Sequence, residues 1–575
     1  MYLLPKKTSQ LAFVPLSSYL QLSNVTVDSI ILTFKQKQKN ILALLTFTSI
    51  ISIFSNIINY KIMLSTLLSS TTFGINAYIV KVETHIESSG FGYFNIVGLP
   101  DASVKESKDR VASAIKNCGF ALPIRRIVVN LAPADIKKEG SGFDLPIALG
   151  VLAAQHNEIN EKVKDFIFIG ELSLDGTLRP IKGVLPMAIE AKNKGAIGFI
   201  LPEQNAREAA IVNGLNVYPM SSLQDVIRFL ENPESVKPVE VNTTEIFLSD
   251  QKYNFDFADV KGQENVKRSL EVAAAGAHNA IMVGPPGSGE TMLAKRLPSI
   301  LPPLTFEEAI ETTKIHSIAG LLSNNSTILT TRPFRSPHHT ISDTALVGGG
   351  QIPRPGEISL AHFGVLFMDE LPEFARNVLE VLRQPLEDAH VTVSRSKLSI
   401  DYPANFMLIC AMNPCPCGNY GNPNQECTCS NQQIQKYISK ISGPLLDRID
   451  IHIEVSTVKY KELSDKRLAE PSADIRQRVI AARDIQLKRF TGRTNIFTNA
   501  DMQAQEIREF CKIDSTCETL LSNAMTKLGL SARAYSRILK VARTIADLVN
   551  SDEIRPEHIS ESIQYRSLDK NIWLT

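Results

Sequence analysis

The feature that most constrains this chain is a single loop between a strand and a helix. Residues 280–283 (Ala-Ile-Met-Val) form a short apolar run. The run leads straight into Gly284, Pro285, Pro286, Gly287, Ser288, Gly289, Glu290 and Thr291, and then into the helical Met292-Leu293-Ala294-Lys295. Strand, Gly-rich loop and helix in that order define a phosphate-binding loop. Its glycines let successive backbone N–H groups point inward around a phosphate, and the helix N-terminus adds positive potential. Thr291 stands where a hydroxyl would ligate Mg2+. The seventh position of the pattern calls for lysine, and here it is Glu290. A carboxylate there changes the local charge by two units beside a polyanion, which weakens phosphate affinity. Lys295 lies one helical turn further on and is a poor substitute.

Further polar residues that could serve nucleotide hydrolysis follow in the chain. The run 365–368 (Val-Leu-Phe-Met) ends in Asp369 and Glu370. Asp369 would hold Mg2+, and Glu370 would polarise the attacking water. The apolar run 406–412 ends at Asn413, a polar tip able to orient that water. Arg448 lies near a helix end in the sequence Gly-Pro-Leu-Leu-Asp-Arg-Ile-Asp. It reads either as an arginine finger for a neighbouring subunit's nucleotide or as an ion-pair partner of Asp447 or Asp450. Arg533, Arg537 and Lys540 fall on one helical face, with Arg543 beyond. They read as a basic stripe facing phosphate or as a solvated face.

The 61 Lys+Arg against 60 Asp+Glu leave a net charge of +1. That excludes a globally polybasic nucleic-acid coat and an acidic solvating tail, but not local basic surfaces. Arg332, Arg335 and Arg354 make one such segment, with His338 and His339 left unassigned. Residues 390–400 alternate like a hairpin that carries Arg395 and Lys397 and no acid. The 44% hydrophobic content supplies several cores, and 575 residues suggest three or four domains of ~150 residues. Alternating strands and helices fill 71–230, a longer α/β pattern runs from 257 to about 455, and a largely helical section closes the chain.

Eight cysteines at this length are no disulfide framework, so a reducing compartment is the default. Four of them, Cys415, Cys417, Cys427 and Cys429, form two C-x-C pairs with nine residues between. Four thiolates could close a tetrahedral Zn2+ site. C-x-C is a less usual knuckle than C-x-x-C, and four reduced thiols in a loop is the other reading. Upstream, residues 41–60 contain no charge and are long enough to cross a bilayer. They read as a membrane anchor, as a marginal segment, or as translated upstream sequence ahead of a true start at Met63.

Taken together, these residues resemble the ComM/YifB family, in the magnesium-chelatase-like branch of AAA+ ATPases. The resemblance rests on Ala258–Gln263, the phosphate loop, Asp369-Glu370, Asn413, Arg448 and Arg533. It also rests on the phrases at 332–342, 348–374 and 411–418, and it covers roughly Met63 to the C-terminus. It implies an α/β multidomain chain. Residues 1–62 would be an extension and 63–235 a Lon-protease-like domain. Residues 236–255 would be a linker, 256–470 the AAA+ core with a parallel sheet, and 471–575 a helical lid. ATP and Mg2+ are the implied ligands, with Thr291 and Asp369 on the metal and Glu370 on water. Asn413 is the implied first sensor, Arg448 the finger and Arg533 the second sensor.

The resemblance further implies a cytoplasmic homo-hexameric ring translocating on single-stranded or branched DNA in competence-linked recombination. The segments bearing Arg332, Arg335, Arg354, Arg395 and Lys397 would grip DNA. No stable membrane partner is expected unless 41–60 inserts. Departures at Glu290, in the 62-residue extension and in the protease-like domain qualify it. Glu290 replaces the family's lysine, which calls ATP hydrolysis into question. The protease-like domain has Gly142 where a nucleophile is expected and no lysine in 184–191. The alternatives are a magnesium-chelatase-type ATPase remodelling a protein partner, or a ring component that binds DNA or nucleotide without hydrolysis.

Overall fold

Two sheets organise the residues that the computed structural model describes. These are 63–566, apart from short segments at 88–91, 244, 247–252, 323–326, 351–352, 396–397, 423–424, 459–468 and 494–495. The apolar run 41–60 lies outside the described residues, and among them no helix is long and apolar enough to cross a membrane.

The first sheet has seven strands: β1 (Leu64–Phe73), β2 (Asn76–Ile86), β3 (Tyr93–Val97), β4 (Arg126–Ala132), β5 (Phe166–Phe168), β6 (Gly198–Pro202) and β7 (Val217–Met220). Their order is β3-β4-β2-β1-β5-β6-β7. β1 and β2 form a long antiparallel hairpin, in register from Leu64↔His85 to Phe73↔Asn76. β1 escaped the sequence pattern because hydroxyls occupy its inward positions. Ser65, Ser69, Ser70 and Thr71 are buried. Ser65 Oγ donates to the Gly150 carbonyl at 2.7 Å, and Ser70 Oγ donates to that of Tyr78 at 3.2 Å. A satisfied hydroxyl is tolerated in a core, but it erases the apolar alternation that marks a strand.

Residues 236–255, read as a linker, are partly docked. Val239 N–H donates to the Val217 carbonyl at 2.9 Å, and Val239, Val241 and Ile246 pack on the core of the first domain. That core also takes in Leu304, Ala309 and Ile328 from the second domain.

The second sheet comprises β8 (Ala280–Val283), β9 (Phe334–Arg335), β10 (Val365–Met368), β13 (Met407–Met412) and β14 (Ile451–Glu454). The intervening strands β11 (His390–Arg395) and β12 (Leu398–Pro403) make a separate hairpin. The sheet order is β9-β10-β13-β8-β14, and every pair is parallel. β8, β10 and β13 are buried along their whole length, with apolar clusters on both faces. Strands covered on both faces read as unbroken apolar runs, which is why all three are legible in the sequence. β13 lies between β8 and β10, so the loops after these three strands open at one edge of the sheet. Ligands of open parallel sheets bind at that carboxyl edge.

The β11–β12 hairpin forms as the alternation predicts, from His390↔Pro403 to Arg395↔Leu398. Its base packs into the core through Val391, Val393, Ile400 and Tyr402. The β1–β2 turn meets it. Gly74 has φ +62°, and a Cβ there would lie 2.7 Å from Ile400 Cγ2.

A helical section follows, with Ser472–Arg489, Ser515–Leu528, Ala532–Leu548 and Pro556–Gln564 as its main helices. Ser472 ties its start to the start of the segment that carries the second sheet: its Oγ accepts the Phe257 N–H at 2.8 Å, and its N–H donates to Asp256 at 2.9 Å. Deeper in, Asp450 joins three parts of the chain. It lies 3.0 Å from His278 Nδ1, and His278 Nε2 is 2.8 Å from Thr544 Oγ1. Arg537 donates to the other Asp450 oxygen. Burial pushes the Asp450 pKa up, but Arg537, His278 and Lys540 outweigh it and hold the carboxyl well below the usual range.

Removing one partner of a buried ion pair strands the other charge. Asp450→Ala is therefore expected to destabilise the chain by about 3–5 kcal/mol, measured as a fall in the urea midpoint.

Candidate active site

The phosphate loop closes as its sequence requires. Gly284 N–H donates to the Met412 carbonyl at 3.2 Å, tying the loop to the end of β13. Gly287 and Gly289 have φ of +81° and +95°, which suits residues without a Cβ. Gln263 supports the loop from behind: its Nε2 donates to the Ser288 carbonyl at 2.7 Å and to that of Ser456 at 3.3 Å. The helix Glu290–Arg296 begins directly after the loop. Met292 and Lys295 are exposed on it.

Across the edge, Thr291 Oγ1 donates to Asp369 Oδ2 at 2.7 Å. The two residues expected on Mg2+ are thus brought together. Asp369 Oδ1 accepts the Glu370 N–H at 3.0 Å. Glu370 has φ +54°, a left-handed backbone that a side-chain-bearing residue adopts at a cost. Its carboxylate stands 56% exposed at the edge of the sheet, 3.2 Å from His339 Nδ1. His339 is a site residue that the sequence left unassigned. The signal available was the His338-His339 pair just after β9, the strand beside β10. Asn413 is half-buried, one residue beyond β13.

Glu290 departs from the two-unit charge change expected from sequence. Its Oε1 and the Ser288 Oγ are both buried, and neither finds a hydrogen bond of ordinary geometry. Both crowd Gly284, where a Cβ would lie 2.8 Å from each. Burial and then the charge of Asp369 push the Glu290 pKa up to about 8, against a smaller opposing effect of the Ser288 hydroxyl. At neutral pH the side chain is mainly a neutral acid. Its difference from lysine is then one unit of charge, not two.

The arginines divide sharply. Arg332, expected on DNA, is spent inside the protein. Its guanidinium donates to the carbonyls of Pro302 and Phe363 at 2.7 Å and pairs with Glu308 at 3.0 Å. Arg335, expected beside it, is held by Glu357 through two bonds of 2.6 and 2.7 Å. Arg354 remains exposed. The Arg395 side chain and Lys397 lie outside the described residues. Arg448 pairs with Glu387 rather than with Asp447 or Asp450, and also donates to the Pro444 carbonyl at 2.6 Å. Arg533 is 69% exposed and bonds Asp447 at 2.8 Å. The rest of its stripe is consumed: Arg537 by Asp450, Lys540 by the Ala500 carbonyl, and Arg543 by Asp547.

Cys415, Cys417, Cys427 and Cys429 converge, with all four Sγ atoms within 4.8 Å of one another. In the first domain, Ser141 Oγ donates to Glu171. The nearby Lys138 is buried and turns its amine to the carbonyls of Pro133 and Ile136.

A glycine-rich strand–loop–helix, a Thr–Asp pair facing it and a parallel sheet covered on both faces make the core of a P-loop α/β protein. The family model for magnesium chelatase subunit ChlI matches residues 256–463. Models for subunit ChlI of Mg-chelatase and for the ChlI C-terminal region match 82–205 and 469–566. Competence protein ComM of Haemophilus influenzae is 46% identical over 505 residues, 87% of this chain and 97% of that protein. YifB of Escherichia coli is 44% identical over 502 residues, 86% of this chain and 96% of that protein. The magnesium-chelatase 38 kDa subunit of Rhodobacter capsulatus is 24% identical over 259 residues, 40% of this chain and 69% of that protein. The chain belongs to the ComM/YifB family of magnesium-chelatase-like proteins. Membership implies ATP and Mg2+. The glycine cradle and the Thr291–Asp369 pair fit them, and Glu290 is the residue that does not.

A carboxyl whose pKa is raised on folding stabilises the fold at low pH and loses that contribution as pH rises through the folded value. Stability is expected to fall between pH about 4.5 and about 8 through Glu290, and Glu290→Gln is expected to flatten that part of the profile. Thermal midpoints of the two proteins across pH test this.

Proposed function

We propose that the chain is an ATP-dependent AAA+ motor acting on DNA, whose hydrolysis is weakened by Glu290. The observation that carries the reading is the convergence of the Thr291–Asp369 pair, Glu370 and Asn413 at one edge of the sheet. Similarity to competence protein ComM over nearly its whole length supports DNA as the substrate. In this reading Thr291 and Asp369 hold Mg2+, which supplies charge neutralisation on the phosphates. Glu370 takes the proton of the attacking water, and Asn413 orients that water. His339, beside Glu370, fixes where that carboxylate points. A protonated Glu290 gives one O–H donor to phosphate but no charge, so ATP binds weakly and turns over slowly.

The assembly proposed is a homo-hexameric ring in the cytoplasm, acting as a branch-migration helicase with no stable membrane partner. Residues 63–235 are read as a Lon-protease-like domain without a catalytic dyad, and 471–575 as a helical lid. Arg448 is the finger for the neighbouring nucleotide and Arg533 the second sensor. Both sit beside Asp447, and their present partners Glu387 and Asp447 are exposed enough to release them. Arg354 and the β11–β12 tip, with Arg395 and Lys397, are the DNA contacts of this reading. Magnesium-chelatase-type remodelling of a protein partner is the second reading, favoured by the ChlI family models.

Restoring the missing charge with Glu290→Lys is expected to raise ATP turnover by about 100-fold, the scale of one lost transition-state donor. Equal turnover by the two proteins overturns the reading of Glu290. Branched DNA is expected to stimulate the Glu290→Lys protein, and an ATPase indifferent to DNA favours the protein-remodelling reading. Arg354→Ala is expected to weaken DNA binding and lower the salt slope by about 1. Arg332→Ala is expected to lower stability and leave that slope unchanged. Fluorescence anisotropy over a salt series separates the two.

A further inference from the structure

The four-cysteine loop takes no part in the hydrolysis described above, yet it is built to the dimensions of a metal site. Cys415 Sγ lies 3.4 Å from Cys417 Sγ and 3.6 Å from Cys427 Sγ, and Cys417 Sγ lies 3.5 Å from Cys427 Sγ. Zn–S bonds of about 2.3 Å put tetrahedral thiolates about 3.8 Å apart. The Cys415, Cys417 and Cys427 sulfurs therefore need an outward shift of only a few tenths of an ångström to receive the ion, and Cys429 Sγ lies within 4.8 Å of all three. A multi-iron cluster places iron and sulfide between its thiolates and holds them much further apart.

Backbone donors surround the sulfurs. Tyr420 N–H points at Cys415 Sγ at 3.3 Å, and the N–H groups of Asn419 and Thr428 point at Cys417. The Cys417 N–H points in turn at Cys429. Donors aimed at sulfur suit the thiolates that a bound metal ion would hold.

The loop also has a defined place. It leaves the β13 strand at Asn413 and returns at Cys429, next to Ser430, whose hydroxyl caps the helix Asn431–Ile438. At its first turn, Gly418 N–H donates to the Cys415 carbonyl at 2.9 Å. Gly418 has φ +81°, and a Cβ there would lie 2.4 Å from Pro286 Cδ. The cysteine loop therefore rests directly on the phosphate loop.

We propose that Cys415, Cys417, Cys427 and Cys429 bind one Zn2+, and that this ion clamps the 414–429 loop against the phosphate loop at Pro286. The proposal does not depend on which macromolecule the motor acts upon. An ion at this place fixes both the end of the Asn413 strand and the outer wall of the phosphate loop.

The test uses the full chain. Elemental analysis is expected to give about one zinc per chain, and none for the Cys427→Ser/Cys429→Ser double variant. Growth with Co2+ is expected to give the intense visible bands of a tetrahedral cobalt thiolate, a readout that needs no variant to fold. Absence of zinc together with a featureless cobalt spectrum overturns the site, and iron with labile sulfide overturns the choice of ion. For the clamp, hydrogen exchange is compared in zinc-loaded and chelator-stripped protein. Exchange at 284–289 is expected to rise about tenfold on stripping, with β1 and β2 unchanged as the internal control. No change at 284–289 overturns the clamp, and so does an equal rise in both regions.

Discussion

The charge of Asp450 is the point on which the parallel five-stranded core and the helical section depend. It lies at the entrance to β14, where its N–H and that of Ile451 both donate to the Asn279 carbonyl, at 2.9 and 3.1 Å. Asn279 in turn uses its side chain to hold the Arg448 carbonyl and the Leu408 N–H, so the entrances of β8, β13 and β14 are laced together there. A bare carboxylate at this depth would be too costly to keep. Arg537 and His278 make it affordable, and each comes from a different segment. The register of the strands and the seating of the helix Ala532–Leu548 are therefore one electrostatic decision. The second layer of this junction is also charged: Asp547 receives Arg489 and Arg543, and Asn499 completes its coordination.

At the other edge of the same sheet the electrostatics are left open. Glu290, Asp369 and Glu370 bring three acids to one mouth, with no basic group among the bonds that Thr291 and Asp369 make. The protein resolves this by keeping a proton on Glu290 rather than by spreading the acids apart. The mouth beside Thr291 and Asp369 thus holds a carboxyl that is mainly protonated at neutral pH. The left-handed backbone at Glu370 belongs to the same economy of space, since it lifts that side chain out of the strand line toward His339.

The parallel core was legible because its strands are buried on both faces and read as plain apolar runs. The acidic strand end and the phosphate loop were legible because their chemistry is local: each role falls within a few consecutive residues. β1 was not, since serine and threonine fill its buried positions, and the partner of Ser65 is a carbonyl 85 residues away. The arginines were the hardest to read. Arg332, Arg335 and Arg448 find their acids 24, 22 and 61 residues away, and Arg537 finds Asp450 across 87. Nothing in a local window separates these from Arg354, which keeps its exposure. The four cysteines stood between: their spacing suggested proximity, but the contact with Pro286 belongs to the folded loop alone.

The turn at Gly74 carries a consequence for how the molecule handles load. It is pressed against Ile400 near the root of the β11–β12 hairpin, and Phe73 and Ile75 share the apolar cluster that seats that hairpin. The long β1–β2 ribbon thus acts as a brace running from the first domain to the foot of the hairpin. A pull on the hairpin tip would be borne partly by the seven-stranded sheet rather than by the five-stranded sheet alone. The first sheet would then serve as ballast, stiffening the hairpin's foot against any force applied at its tip.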